Sequence, residues 1–220
     1  MKGALVTIHT GPVYEKLAEL TWHKNRKLYA EQNGYDAIAR TDNFNGMNVG
    51  FAKIQLLLDT LKTNKYDMVY WSGTDTMVTN FSIPLTTFLY DNYHVTLATD
   101  FNGIQSDSFV VRNTIEGRAW LQMIMDKMPQ YLSHPFLEQG TMMETYAQYQ
   151  HIVKIVPQRF MNSYYYSMYR NKGAKDNNDK MGLSGQWEMG DFLLHAPDQP
   201  MDLRYQLFNY TLDKIIGKTI

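Results

Sequence analysis

Asp67-Met68-Val69-Tyr70-Trp71-Ser72-Gly73-Thr74-Asp75-Thr76 runs a compact apolar segment straight into a glycine turn that carries a carboxylate. A short apolar run of β-branched and aromatic side chains, bounded by turn residues, reads as a buried strand. The flanking segments repeat that theme. Upstream, Ala4–Ile8 is another β-branched run, closed by His9-Thr10-Gly11-Pro12. Between the two, Leu17, Leu20, Trp22 and Leu28 recur at spacings near three and four and predict a helix from Val13 to about Gln32. A strand at Tyr35–Ala39, a polar loop at Arg40–Gly50 and a helix from about Phe51 to Leu61 follow. Downstream, Val95–Thr99, Ser108–Arg112, Ile152–Val156 and Asp191–Leu194 predict strands, while Thr114–Met128, Glu138–Tyr149 and Leu203–Ile216 predict helices. Strands separated by helices imply right-handed crossovers and a mostly parallel central sheet flanked by helices, an α/β fold. At 220 residues a single domain covers the chain, with the charged, glycine-containing stretch Asn171–Lys180 as a mobile loop.

Composition removes several chemistries. The chain has no cysteine, which eliminates disulfides, thiol nucleophiles, zinc fingers and iron–sulfur ligation together. With 21 basic against 22 acidic side chains it lacks the positive surface of a nucleic-acid binder, so no nucleic-acid partner is expected. No apolar stretch reaches the roughly 18 residues of a membrane span. The N-terminal apolar run is too short for a signal peptide, and a cytoplasmic location is the expectation. Neither a G-x-x-x-x-G-K-S/T loop nor a G-x-G-x-x-G turn follows the first strand, and H-E-x-x-H and G-x-S-x-G are absent. The 16 tyrosines, 14 methionines and 4 tryptophans either line a site for a polyhydroxylated ligand or simply build cores.

What remains is a set of polar residues where the strands end: His9-Thr10, Gly73-Thr74-Asp75, Asp100 and His195. In parallel sheets, ligands bind beyond the carboxyl ends of the strands. Asp75, a carboxylate in a glycine turn at such an end, is placed to ligate a metal carrying a phosphate. An acid after a strand also serves as an ordinary turn or cap residue. His195 closes Gly190-Asp191-Phe192-Leu193-Leu194-His195, where it reads equally as a buried structural residue. One carboxylate and one imidazole together suit Mn²⁺ better than a soft-ligand metal.

Seven blocks then stand in a telling order. They are Asn25-Arg26-Lys27-Leu28-Tyr29-Ala30 with Asn33-Gly34-Tyr35, Ala52-Lys53-Ile54, and Asp67 to Trp71 onward. Asp100-Phe101-Asn102-Gly103-Ile104 with Phe109-Val110-Val111-Arg112-Asn113 comes next, then Glu138-Gln139. Val156-Pro157-Gln158-Arg159 with Asn162-Ser163-Tyr164, and Gly190-Asp191-Phe192-x-x-His195, complete the series. Together they resemble glycosyltransferase family 34. The resemblance implies a GT-A type nucleotide-sugar-binding domain, a UDP-sugar donor such as UDP-glucose or UDP-rhamnose, and an oligosaccharide or glycoprotein acceptor. It also implies Mn²⁺ or Mg²⁺ and transfer of a hexose or deoxyhexose with retention at the anomeric carbon. The family's D-x-D motif falls on Gly73-Thr74-Asp75, so glycine replaces its first aspartate. Asp75 keeps the metal-ligand role together with His195, which aligns with the family's C-terminal metal-binding histidine. His9, Thr10, Gly73 and Thr74, with the cations Lys53 and Arg112, form the expected donor-binding set.

Retention by double displacement asks for a carboxylate near the anomeric carbon, and Glu138 and Asp107 are the candidates by position. Same-face attack without a covalent intermediate is the alternative route. Glu138 reads equally as an acid favoured by the dipole of its own helix. Gln105-Ser106-Asp107 replaces the family's sugar-side segment, which places Gln105 and Asp107 near the donor sugar. Tyr164-Tyr165-Tyr166 and Met168-Tyr169 are either an acceptor groove or the packing of a sheet edge. The missing first aspartate leaves a second function open, a nucleotide-sugar or glycan-binding module of the same fold without turnover. A metal-dependent phosphohydrolase or nucleotidyltransferase ranks third, for want of further carboxylates near Asp75.

Overall fold

Strand β1 (Gly3–Ile8) has every residue buried, as a strand covered on both faces must. The structure, a computed structural model, describes residues 1–42, 44–166 and 185–216; the expected loop at 171–180 and the pair Met168-Tyr169 lie outside them. Strand β1 lies between β2 (Asp36–Arg40) and β3 (Met68–Ser72) and is parallel to both. Beyond β3 the sheet continues through β6 (Gly103–Arg112) and β5 (Val95–Asp100) to β7 (Val153–Val156), in the order β2-β1-β3-β6-β5-β7. Five of these six strands point one way, and β6 runs against both of its neighbours. The mostly parallel α/β sheet is therefore present, with one reversal that a pure crossover scheme lacks. The reason is local. Asp100-Phe101-Asn102-Gly103 is too short for a crossover, so it folds β5 back as a hairpin, with Gly103 at φ +117°. The reversed strand also starts earlier than Ser108, which carries Gln105 and Asp107 into the sheet.

Successive residues of β1 face opposite layers. Ala4, Val6 and Ile8 pack with Phe51, Ile54, Leu57, Trp120 and Leu121, from helices α3 (Val49–Lys62) and α4 (Ile115–Tyr131). Helix α5 (Leu137–Tyr149) completes that layer through Met142. Leu5 faces the other way, toward Trp22, Tyr29, Tyr70, Phe88 and Phe192. The predicted first helix is a composite of α1 (Gly11–Ala18), a π-helical segment (Glu19–Arg26) and α2 (Lys27–Gln32). Such wide turns are rare and are frequently found at functional sites.

A second sheet positions the site, and periodicity gave no warning of it. Its strands are β4 (Thr76–Val78), β9 (Leu193–His195) and β8 (Ser163–Tyr164), in the order β4-β9-β8. The strand expected at Asp191–Leu194 is thus shifted by two residues at its start and belongs here rather than to the central sheet. Between β7 and β8 comes the short helix α6 (Gln158–Met161). Helix α7 (Met201–Ile216) covers the small sheet, with Leu207, Phe208 and Leu212 against Met77, Trp187 and Leu194. Among the described residues, no helix is long and apolar enough to cross a membrane.

Candidate active site

Two ladders converge on the turn that follows β3. The β3–β6 pairing ends at Ser72 and Ser108, and one further bond, from Gly73 N to the Asp107 carbonyl at 2.9 Å, sets Asp107 beside the turn. From the other side, Thr76 pairs with His195, and Ala196 N donates to the Asp75 carbonyl at 2.9 Å. Three residues remote in sequence are thereby gathered: Asp75, Asp107 and His195 each offer one ligand atom within 4.8 Å of the others. His195 Nε2 lies 3.5 Å from Asp75 Oδ1 and 3.8 Å from Asp107 Oδ2. The imidazole is fully buried, whereas the Asp107 side chain is 35% exposed. A Cβ at position 73 would come within 3.4 Å of Asp107 Cβ and Cγ and 3.0 Å of Asp75 Oδ1. Glycine therefore leaves the space beside the turn to a carboxylate from the neighbouring strand.

Cations hold the turn from behind. Arg26, wholly buried, donates through Nη1 to the carbonyls of Ser72 at 2.7 Å and Gly73 at 2.5 Å. Thr21, on the same π-helical segment, donates from Oγ1 to the Thr74 carbonyl at 2.7 Å. Asn25 pairs with Val78 as a strand would, donating to its carbonyl and accepting from its N–H, both at 2.8 Å. Burial lowers the Arg26 guanidinium to about 9, with the charge of Asp75 opposing the shift. Arg204 from α7 donates to Asp75 Oδ2 at 3.1 Å and to the Ala196 carbonyl at 3.0 Å. Burial alone would raise the Asp75 carboxyl. The charges of His195 and Arg204 outweigh it and hold Asp75 below the ordinary carboxylate range.

A cleft of about 380 Å³ opens over this group, and His9, Thr10, Lys53, Gly73, Thr74, Asp75, Asp107 and Glu138 all line it. Lys53 Nζ is buried, 2.5 Å from Glu138 Oε1 and 3.3 Å from Asp107 Oδ1, and donates to the Ser106 carbonyl at 2.9 Å. Burial disfavours its charge, but the carboxylates of Glu138 and Asp107 more than compensate and raise its pKa. Glu138 stands in the first turn of α5 as expected, yet its carboxylate points at the start of α3. Gly50 makes the room there, since a Cβ would lie 1.8 Å from Glu138 Oε2. His9 is buried, and neither of its ring nitrogens has a hydrogen-bond partner in the described protein. Burial and the Arg26 charge both lower its pKa, which favours the neutral ring.

Arg112 is not part of this cleft. It pairs with Met68 at the far end of β3 and donates to the Tyr90 carbonyl at 3.3 Å. Five residues of strand separate it from Asp107, roughly 16 Å at strand rise. Among the described residues, Lys53 is the lysine or arginine that lines the cleft. Gln105 is also displaced from the expected sugar side. It is buried, accepting from Asp107 N at 2.8 Å and donating to the Tyr164 hydroxyl at 3.1 Å. Tyr164 packs edge-on against His195, with ring centroids 5.3 Å apart, and Tyr165 against Trp187 at 5.9 Å. Tyr164 thus supports the histidine, and neither tyrosine lines the cleft. Sequence reasoning missed Arg204 and assigned no role to Arg26 or to Asn162, whose Oδ1 lies 2.7 Å from His195 Nδ1. Arg26 stood in a quoted block without an assignment, while Arg204 in an amphipathic helix reads as solvent-facing.

The sequence model of the galactosyl transferase GMA12/MNN10 family matches residues 89–198. No curated protein matches the sequence. Among solved structures, a glycosyltransferase involved in glycosylation of the major capsid of PBCV-1 superposes with a TM-score of 0.70 at 11% identity, over 94% of this chain and 99% of that one. Mouse xyloside xylosyltransferase 1 gives 0.54 at 8% identity, over 90% and 98%. The galactosyltransferase LgtC, solved with donor and acceptor sugar analogs, gives 0.54 at 12% identity, over 98% and 96%. At these identities the likeness concerns the fold, which is of the GT-A glycosyltransferase type.

Proposed function

The chain belongs to the galactosyl transferase GMA12/MNN10 family and is a glycosyltransferase, and from that premise we propose a specific reaction. A hexose or deoxyhexose is moved from a UDP-sugar, such as UDP-glucose or UDP-rhamnose, to a glycan acceptor with retention of configuration. Asp75, Asp107 and His195 hold Mn²⁺ or Mg²⁺. The observation carrying this reading is the meeting of those three side chains, with Asp75 and Asp107 lining the cleft and His195 buried behind them, next to the Lys53–Glu138 pair. Two carboxylates and an imidazole form a hard-to-borderline donor set, which suits these ions and not a soft metal. The separations of 3.5 and 3.8 Å from His195 Nε2 exceed ordinary hydrogen bonds and suit ligand atoms that share one ion. When bound, the ion neutralises the charge that gathers on the departing nucleoside diphosphate.

The protein's own groups do the rest. Lys53 holds the buried Glu138 side chain by an ion pair at 2.5 Å, so its carboxylate is positioned toward the positive charge that grows on the sugar. Asp107 is engaged on both oxygens, toward Lys53 and toward His195, so we assign it to the ion rather than to the anomeric carbon. His9, Thr10 and Thr74, after β1 and β3, take the nucleotide. The binding-only alternative rested on the carboxylate missing at Gly73, and Asp107 stands beside that glycine. The test is UDP release from a panel of UDP-sugars (glucose, galactose, xylose, rhamnose), with sugar acceptors, with and without Mn²⁺. We expect metal-dependent release from one donor and a product of unchanged anomeric configuration by NMR. Metal-dependent UDP binding without release from any donor would restore the binding module.

A further inference from the structure

A histidine can give a metal ion only a ring nitrogen that carries no proton, and the partner of the other nitrogen decides which one that is. In His195, Nδ1 lies 2.7 Å from Asn162 Oδ1. The Asn162 amide is oriented by its other end, where Nδ2 donates to the Tyr164 hydroxyl oxygen at 3.2 Å. That hydroxyl donates in turn to Asp100 Oδ2 at 2.7 Å, and Asp100 Oδ1 accepts from Asn102 N at 2.6 Å. The partners named here for Asp100 are all donors, so it terminates the chain as an acceptor and fixes the sense of every bond before it. Asp100 accepts from Tyr164, Tyr164 accepts from Asn162, and the Asn162 carbonyl accepts from His195 Nδ1–H. The lone pair is then on Nε2, the atom nearest Asp75 and Asp107. The same relay reaches the second carboxylate, because Gln105 bonds both the Tyr164 hydroxyl and the backbone N–H of Asp107. Asn162, Tyr164, Gln105 and Asp100 are all buried, so solvent does not compete with these bonds.

We propose that Asn162, backed by Tyr164 and Asp100, is a positioning residue that keeps the His195 proton on Nδ1 and so presents Nε2 to a divalent ion. This rests on the metal-site reading above. Without the Asn162 oxygen that bond to Nδ1 is lost, and the carboxylates of Asp75 and Asp107 attract the proton to Nε2, where it competes with the ion.

The test is read in two ways on the whole protein: nitrogen–proton correlation spectra of the metal-free chain, with His195 assigned by His195→Gln, and Mn²⁺ affinity from the electron spin resonance of the free ion. In the wild type we expect a protonated Nδ1 and measurable Mn²⁺ affinity. Asn162→Leu is expected to move the proton to Nε2 and to weaken Mn²⁺ roughly 10–100-fold, the range for groups that orient a metal ligand. Asn162→Asp keeps an acceptor oxygen and is expected to retain the tautomer and the affinity to within a few-fold. A wild-type ring protonated on Nε2 overturns the proposal, and that measurement stands even if Asn162→Leu does not fold. Unchanged Mn²⁺ affinity in folded Asn162→Leu overturns the proposal and leaves the metal site intact. A wild type without Mn²⁺ affinity overturns both.

Discussion

Asp75 and Asp100 are carboxylates at the ends of β3 and β5, both largely enclosed, and each is tied to a different nitrogen of the same imidazole. Their electrostatics are opposite. Asp75 lies against Arg204 and against His195, which adds its charge whenever both ring nitrogens carry protons, and those groups hold its carboxyl down against burial. Asp100 is bonded by neutral donors, the Tyr164 hydroxyl, the Asn102 N–H and the Gln105 amide, and there burial outweighs them together with any charge on His195 and raises its pKa. Burial therefore does not decide what a carboxylate does; the charge of its partners does. Asp75 sits in a net of formal charges that can accommodate a divalent ion, while Asp100 anchors a neutral relay that aims the ion's other ligands.

The largest effect expected from breaking this contrast is at Asp75. Asp75→Ala leaves Arg204, whose side chain is 7% exposed, without its carboxylate. Removing one partner of a buried pair costs about 3–5 kcal/mol. UDP release should fall by at least about 100-fold as well, since a metal ligand is lost. Asp107→Ala should lose turnover and Mn²⁺ affinity to a similar degree but little stability. Its side chain is one-third exposed and Lys53 keeps Glu138, so a cost of about 1 kcal/mol or less is expected. Thermal unfolding and UDP release on the two variants side by side check the split, and equal destabilisation would refute it.

The next effect isolates the wall of the cleft from its floor. Gly50→Ala puts a Cβ where Glu138 Oε2 now lies, so the carboxylate must leave its place while Asp75, Asp107 and His195 are untouched. We expect kcat to fall roughly 100-fold, the scale of a misplacement of about 1 Å. Mn²⁺ affinity should stay as it was. The folded state gains back part of any loss, because alanine is favoured over glycine in a helix by up to about 1 kcal/mol. A Gly50→Ala protein with full turnover would remove Glu138 from the reaction.

Much of this could be read from the residues, and what could not has a common cause. The central sheet was legible because Ala4–Ile8 and Met68–Trp71 are apolar runs flanked by turn residues, a signal carried by neighbours in sequence. Asp75 and His195 were legible as polar residues at the ends of such runs. The β4-β9-β8 sheet was not, since strands of two or three residues carry no period, and it is that sheet which joins Asp75 to His195. Arg112, expected in the donor-binding set, lies away from the cleft for a related reason: the hairpin at Asp100–Gly103 reverses β6 and carries its C-terminal end to the other end of β3. Arg204 and Asn162 act through partners more than thirty residues away, Asp75 and His195, and no local pattern marks such a bond.

The smallest expected effect bears most directly on the contrast between the two carboxylates, and it concerns the metal-free protein. Both ordinary values are 3.8. Asp75 is held lower when folded, so the unfolded chain takes its proton first as the pH falls. Its stabilisation is complete above about pH 4 and is lost as the pH drops through the folded value. Asp100 is held higher when folded, so the folded chain takes the proton first. Its contribution is present at the lowest pH and is lost as the pH rises through its folded value. Asparagine cannot titrate, so each substitution removes one of these terms. As the pH rises from about 3 to about 7, the advantage of wild type over Asp75→Asn should grow and then level off above about pH 4, whereas its advantage over Asp100→Asn should shrink as the pH rises above about 4. Urea unfolding at fixed ionic strength over that range measures both differences. Each slope is bounded at about 1.4 kcal/mol per pH unit, because a single proton is involved. Two curves of the same sign would mean that the cations around Asp75 do not dominate its burial. The charge net and the neutral relay would then no longer be distinct.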